Sequence, residues 1–170
     1  MWELGESHQK VSDFFEINGW KWPKEKRYQQ VIEEVGEYIQ ELLSGEEVQQ
    51  REELWDIAFT YLGYIDSWWE ESREDRIAIL LYIVRTLQTI DCNKRDRILL
   101  FLAQFTKENK IFRKRDKDPS RAIQGEYTEL ESKKRQYLNV VLLMLLSRSY
   151  ETTVWDLVDN SISKFNKRKW

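Results

Sequence analysis

Residues that interrupt regular secondary structure are scarce in this chain, whose 170 residues include only 6 Gly and 2 Pro. Both prolines, Pro23 and Pro119, lie outside the stretches with regular hydrophobic spacing. Gly and Pro are the residues that most destabilise a helix interior, so their scarcity favours helices. No alternating hydrophobic segment is followed by an Asn-Gly or Asp-Gly turn, the usual mark of a β-hairpin. The composition predicts an all-α fold, and the length favours one domain over residues 1–170.

Cysteine and histidine are nearly absent, with one residue of each. Cys92 cannot form an intramolecular disulfide, and no histidine lies near it in the sequence to activate it as a nucleophile. His8 belongs to no Glu-x-x-His motif, which argues against a di-iron carboxylate bundle, and we expect it at the surface. The chain also has no Gly-rich phosphate-binding loop. The candidate functional groups are therefore carboxylates.

Long hydrophobic runs are missing as well. The runs around 77–84 and 138–146 are too short to span a bilayer, and the first ten residues contain no apolar signal core. A net charge of −3 gives no general attraction for nucleic acid. We therefore expect a cytoplasmic protein that has neither a membrane partner nor a nucleic-acid partner.

Hydrophobic residues at helical spacing divide the chain into consecutive helices. Ser72, with Asp75 three residues later, predicts a helix N-cap. The charged residues 107–120 predict a linker, whose basic cluster fits a solvated loop better than a contact with phosphate or nucleic acid. The helices are predicted at about 6–18, 26–43, 46–71, 73–90, 94–106, 121–147 and from 153 onward.

Two helices that flank the turn at 44–45 place four carboxylates symmetrically. Glu37 and Glu53 lie eight residues before and after the glycine of this turn, and Glu34 and Asp56 lie eleven residues before and after it. Equal chain distances give equal heights along an antiparallel helix pair, and the i, i+3 spacing puts two acids on one face of each helix. Hard cations such as Mg²⁺ prefer oxygen ligands of this kind. The pattern therefore predicts a metal site.

Asp56 is the most informative of these acids, because it is the only charged residue between Leu54 and Ile65. An unpaired carboxylate among apolar side chains is costly, and a cation is the natural compensation. The acids of the preceding helix lie opposite its apolar stripe and would alone read as a solvated face. These acids are Glu33, Glu34, Glu37 and Glu41.

Lys164 and Arg168 are spaced i, i+4 near the end of the chain and share one helix face. A point-charge ammonium and a planar guanidinium both suit phosphate groups. Basic residues are also favoured at a helix C-terminus by the helix dipole, so the spacing leaves both explanations open.

The sequence EEVGE at 33–37, followed by ELWD at 53–56, resembles the EExxE…ExxD signature of the MazG-like all-α NTP pyrophosphatases. This superfamily includes the dimeric dUTPases. Lys164, Phe165 and Arg168 are similar to the Lys-Phe-x-x-Arg pattern of the closing helix of the family.

The resemblance implies hydrolysis of a nucleoside triphosphate between the α and β phosphates, which yields a monophosphate and pyrophosphate. It implies that Glu33 orients or deprotonates the attacking water, and that the protein forms a homodimer or a dimer-based tetramer. It assigns Lys164 and Arg168 to the substrate phosphates. The implied ligands of Mg²⁺, or of Mn²⁺ in its place, are Glu34, Glu37, Glu53 and Asp56.

The resemblance covers about 8–66 and 138–170, and a helical insertion at about 67–137 separates these parts. Family members usually have little chain between them. The main alternative to the enzyme is a helical interaction module that keeps the scaffold without turnover. A weaker alternative is a nucleic-acid-binding bundle that uses residues 107–117.

Overall fold

The computed structural model describes residues 2–65, 68–90, 93–117 and 128–168. No strand occurs among these residues, which confirms the predicted all-α class. None of the helices in this part of the chain is long and apolar enough to cross a membrane. Cys92 and the predicted helix start at 121 lie outside the described residues. The helices are α1 (Trp2–Ile17), α2 (Lys24–Ser44), α3 (Glu47–Tyr64), α4 (Arg73–Leu87), α5 (Lys94–Lys117), α6 (Glu129–Ser149) and α7 (Val154–Arg168).

Helices α2 and α3 form the predicted hairpin and pack against each other. Gly45 ends α2 in the left-handed conformation, with φ 80°, and its N–H donates to the carbonyl of Glu41 at 3.1 Å. Glycine adopts this conformation without the steric cost that a Cβ brings, which explains the stop signal in the sequence. The side chain of Gln50 in α3 donates to the same carbonyl at 3.2 Å and ties the two helices together next to the turn.

The chain divides into two compact units. The first unit comprises Met1–Trp68 and Ser147–Trp170, and α3 is its central helix because α1, α2 and α7 all pack against it. Nearly every side chain of α3 from Leu54 onward is buried, so the stretch that is apolar all round in sequence is enclosed all round in the structure.

Aromatic rings fix α7 against α3 within this unit. The ring of Phe59 in α3 lies 5.5 Å from that of Phe15 in α1 and 5.0 Å from that of Phe165 in α7, centroid to centroid. Trp20, in the connector after α1, packs edge-on against Phe15 and Phe165. Aromatic pairs of this kind add to the energy of burial. The cluster holds Phe165, and therefore its chain neighbour Lys164, beside α3.

The second unit comprises Trp69–Leu146 and contains α4, α5 and most of α6. Ser72 caps α4 as predicted, because its side chain accepts a hydrogen bond from the N–H of Asp75 at 3.2 Å. The hydroxyl of Tyr137 in α6 donates to the carboxylate of Glu71 at 2.5 Å and accepts the N–H of Trp69 at 2.9 Å. This tyrosine therefore anchors the segment that precedes α4.

Three of the sequence predictions are wrong among the described residues. Residues 107–117 are not a linker, because α5 continues through them and buries Glu108 and Ile111 on its inner face. Helix α3 ends at Tyr64 rather than near 71; farther along, Trp69 has a φ of 72°, which a helix cannot contain. His8 is buried rather than at the surface, and its ring nitrogen lies 3.1 Å from the carbonyl oxygen of Ile65.

The close approach of α1 to α3 at Gly63 leads to a stability prediction. A Cβ at Gly63 would lie 2.6 Å from Cζ of Phe15, whose ring is enclosed by Trp20 and Phe59. We expect Gly63→Ala to lower the free energy of unfolding by about 1–3 kcal/mol through overpacking. A Cβ at Gly36, in α2, would meet nothing within 4 Å. The control Gly36→Ala should therefore raise the free energy of unfolding by up to about 1 kcal/mol.

Urea denaturation of both variants without added metal measures these two effects, which have opposite signs. If Gly63→Ala were as stable as the unchanged protein, the packing described between α1 and α3 would be wrong.

Candidate metal and phosphate site

Three carboxylates meet on the inner side of the α2–α3 hairpin. One oxygen from each of Glu34, Glu37 and Glu53 lies within 4.8 Å of the other two. Glu34 and Glu37 occupy neighbouring turns of one face of α2, and the matching distance from Gly45 brings Glu53 to the same height on α3. We call these three side chains the acidic cluster.

Asp56 is held beside the acidic cluster by α7. The residue is only 8% exposed, as its apolar neighbours in the sequence suggest. Ser161 donates a hydrogen bond to Oδ1 of Asp56 at 2.9 Å, and the ammonium of Lys164 donates to Oδ2 in an ion pair. The compensation that the sequence requires for this carboxylate is therefore supplied by the protein itself, one turn apart on α7.

Crowding of like charges shifts the protonation of the acidic cluster. Burial, reinforced by the charges of Asp56, Glu37 and Glu53, raises the pKa of Glu34 to about 8. Burial, a hydrogen bond to Glu37 and the nearby acids raise the pKa of Glu53 to about 7, against the lowering effect of Lys164. Without a counter-ion, the cluster therefore retains protons near neutral pH.

The acidic cluster suits a hard divalent cation. Its donors are all carboxylate oxygens, which match the preference of Mg²⁺ and Mn²⁺ and do not match that of softer metals. Oε2 of Glu34 is buried and has no hydrogen-bond partner among the described residues. A buried acceptor without a partner is costly, and a cation shared with the two neighbouring acids would satisfy it.

A groove of about 350 Å³ lies between α3 and α7. Lys164 belongs both to the groove and to the ion pair with Asp56, and so connects the groove with this acid. The exposed side chain of Arg168 also lines it, as the i, i+4 spacing suggests. The lining residues are Trp55, Asn160, Ser163, Lys164, Lys167 and Arg168.

The structure distributes the predicted site residues over three places. Glu34, Glu37 and Glu53 form the acidic cluster, Asp56 pairs with Lys164, and Arg168 lies in the groove. The exposed Glu33 lies outside the cluster on the solvent side of α2. The sequence analysis did not identify three residues of the site. Two of them, Ser161 and Lys167, lie three residues before and after Lys164, so helical spacing could have indicated them. The missed residues are Trp55, Ser161 and Lys167.

Comparison of this chain with protein families, with curated proteins and with solved structures finds no match. Function must therefore be inferred from the acidic cluster, the Asp56 ion pair and the groove.

The raised pKa values predict how stability depends on pH. The pKa of Glu34 is about 8 and that of Glu53 about 7 in the folded protein, and both return to about 4.5 when it unfolds. Between these values the folded state binds more protons than the unfolded state, so raising the pH from about 4.5 to 8 removes stability. We expect the melting temperature of the metal-free protein to fall over this range.

Glu34→Gln should flatten this pH profile. Glutamine does not titrate, so the variant no longer has the proton that the folded state binds more tightly than the unfolded state. Glu33→Gln is the matched control, since it removes an exposed acid from the adjacent position of α2. Thermal melts in EDTA from pH 5 to 8.5 measure the effect. An equally steep profile in Glu34→Gln would contradict this account of the acidic cluster.

Proposed function

We propose that the protein is a Mg²⁺-dependent nucleoside triphosphate pyrophosphohydrolase that cleaves between the α and β phosphates. The observation that carries the proposal is the acidic cluster close to Lys164, which lines a groove together with Lys167 and Arg168. Carboxylates alone would repel a polyphosphate. Basic side chains alone would bind a polyphosphate but would not hold the metal ion that hydrolysis requires. The two groups side by side suit a substrate that carries both phosphates and divalent metal.

Glu34, Glu37 and Glu53 are the residues that would hold Mg²⁺, with Asp56 as the fourth acid. Bound Mg²⁺ supplies two effects, a lower pKa for a water molecule and compensation of charge on phosphoryl oxygens. Glu33 is the candidate to orient that water and accept its proton, as the resemblance to the MazG-like enzymes implies. The acids and cations thus have separate tasks.

Lys164 and Arg168 bind the outer phosphates in this proposal. Lys164 is partly exposed at the start of the groove, and Arg168 follows one turn later on the same face of α7. Donors held in place on a rigid helix fix the phosphate chain for in-line attack and compensate charge as the bond breaks. Because Phe165 anchors α7 against α3, these cations keep a constant distance from the acids.

The direct test is a panel of nucleoside and deoxynucleoside triphosphates incubated with Mg²⁺, with the products separated by ion-exchange chromatography. We expect a monophosphate and pyrophosphate, and no product in EDTA. Glu53→Gln should lower kcat by at least about 100-fold, because it removes charge from the acidic cluster. The exposed neighbour Glu52 supplies the control, and Glu52→Gln should keep full activity.

Two results would contradict the proposal. Release of a diphosphate and inorganic phosphate would place cleavage at another bond. Binding of a triphosphate with Mg²⁺ and no product from any nucleotide would instead favour the alternative, a module that has kept the scaffold and lost turnover.

Arg168 allows a separate prediction about phosphate binding. Its side chain is exposed, so Arg168→Ala should leave the melting temperature nearly unchanged. The variant should raise KM and lower kcat, and Arg168→Lys should recover only part of the loss because the planar fork is missing. Steady-state kinetics with the best nucleotide of the panel measure this. Unchanged kinetics in Arg168→Ala would show that the residue only stabilises a helix end.

A further inference from the structure

The second half of α5 carries five exposed cations on one side. Lys107, Lys110, Lys114 and Lys117 follow one another at intervals of three or four residues, and Arg113 lies beside them. This spacing brings side chains to one face of a helix. We call the five residues the basic face; it is about 15 Å long at the helical rise of 1.5 Å per residue.

The opposite side of the same helix belongs to the interior of the second unit. Phe105 and Ile111 are buried there, and the buried Glu108 accepts a hydrogen bond from Asn139 of α6. The helix is therefore fixed in rotation, and the basic face must point to solvent. None of its five cations forms an ion pair with another described residue.

Total charge hides this local excess. Residues 69–146 contain 16 Lys and Arg against 12 Asp and Glu, which gives +4, whereas the rest of the chain has 11 against 18, which gives −7. The net charge of −3, which argued against a nucleic-acid partner in the sequence, is the sum over two units of opposite sign. A polyanion responds to the local potential and not to this sum.

The shape of the basic face discriminates among polyanions. Insertion of a helix into an acidic membrane surface needs an exposed apolar face, and the apolar side of α5 is buried in the second unit. A single-stranded nucleic acid needs aromatic platforms for its bases, and the basic face contains none. A straight row of cations without either feature suits the phosphate backbone of a duplex, which offers about one charge per 1.7 Å.

We propose that the basic face of α5 binds the phosphate backbone of double-stranded nucleic acid without sequence preference. The binding is electrostatic and depends on the array of cations on one helix face. It is independent of the acidic cluster and of the proposed hydrolysis, since it uses the other unit of the chain.

The test titrates the full-length protein into fluorescently labelled 20-base-pair DNA of random sequence, and follows anisotropy at 50 and 200 mM salt. If all five cations contact phosphates, affinity should fall by up to about 500-fold between these salt concentrations. Lys110→Gln combined with Lys114→Gln should bind more weakly, and its salt dependence should shrink to about 40-fold as two contacts are lost. Circular dichroism checks that the helix content is unchanged.

Arg73→Gln combined with Arg85→Gln is the charge-matched control, because both residues are exposed on α4 in the same unit. The control should bind the duplex as tightly as the unchanged protein. The proposal is overturned if the control loses as much affinity as the α5 variant, since the attraction would then come from diffuse charge. No binding at 50 mM salt, or tighter binding to vesicles of anionic phospholipid than to the duplex, would also overturn it.

Discussion

A buried carboxylate in α3 organises the first unit of this protein. Asp56 lies near the start of a run that packs on every side, so its charge must be satisfied inside the protein. Ser161 and Lys164 provide this satisfaction, and both lie on α7, more than a hundred residues later in the chain. The aromatic contact of Phe165 brings α7 to the required position. Packing and electrostatics therefore favour the same position of α7. Removing Lys164 alone would leave the buried charge of Asp56 without its ion-pair partner.

The acidic cluster is the opposite case, because none of its three acids forms an ion pair with another described residue, and only the nearby charge of Lys164 favours the ionised form of Glu53. Burial, together with the charges of the neighbouring acids, raises the pKa values of Glu34 and Glu53 well above the ordinary range. An arrangement of this kind lowers the stability of the metal-free protein and keeps a buried acceptor of Glu34 without a partner. Functional sites commonly contain such locally unfavourable interactions, which a ligand then relieves. In the metal-free protein, the fold thus supplies partners for Asp56, whereas the acids of the acidic cluster have no ion-pair partner among the described residues.

The sequence predicts the parts of this arrangement that local rules determine. The hairpin follows from hydrophobic spacing and from Gly45, and the pairing of Glu37 with Glu53 follows from equal distances to the turn. The partners of Asp56 could not be predicted, because nothing local links α3 to the register of α7. The helical course of 107–117 was also missed, since its charges resemble a linker and its few buried residues become informative only once the core beneath them is known.

Helix faces, and not whole-chain totals, carry the chemical information in this protein. Helix α2 places Glu34 and Glu37 beside Glu53 of α3. Glu33 precedes Glu34 by one residue, and the rotation of about 100° between them leaves Glu33 exposed to solvent. Helix α5 buries Glu108 and exposes Lys107, so that adjacent residues of opposite sign serve the core and the surface. Because adjacent residues of a helix are separated by a rotation of about 100°, the role of a charged residue can be predicted only when the buried side of its helix is known. The buried aromatic and aliphatic residues therefore determine which of the many charges of this chain can act together.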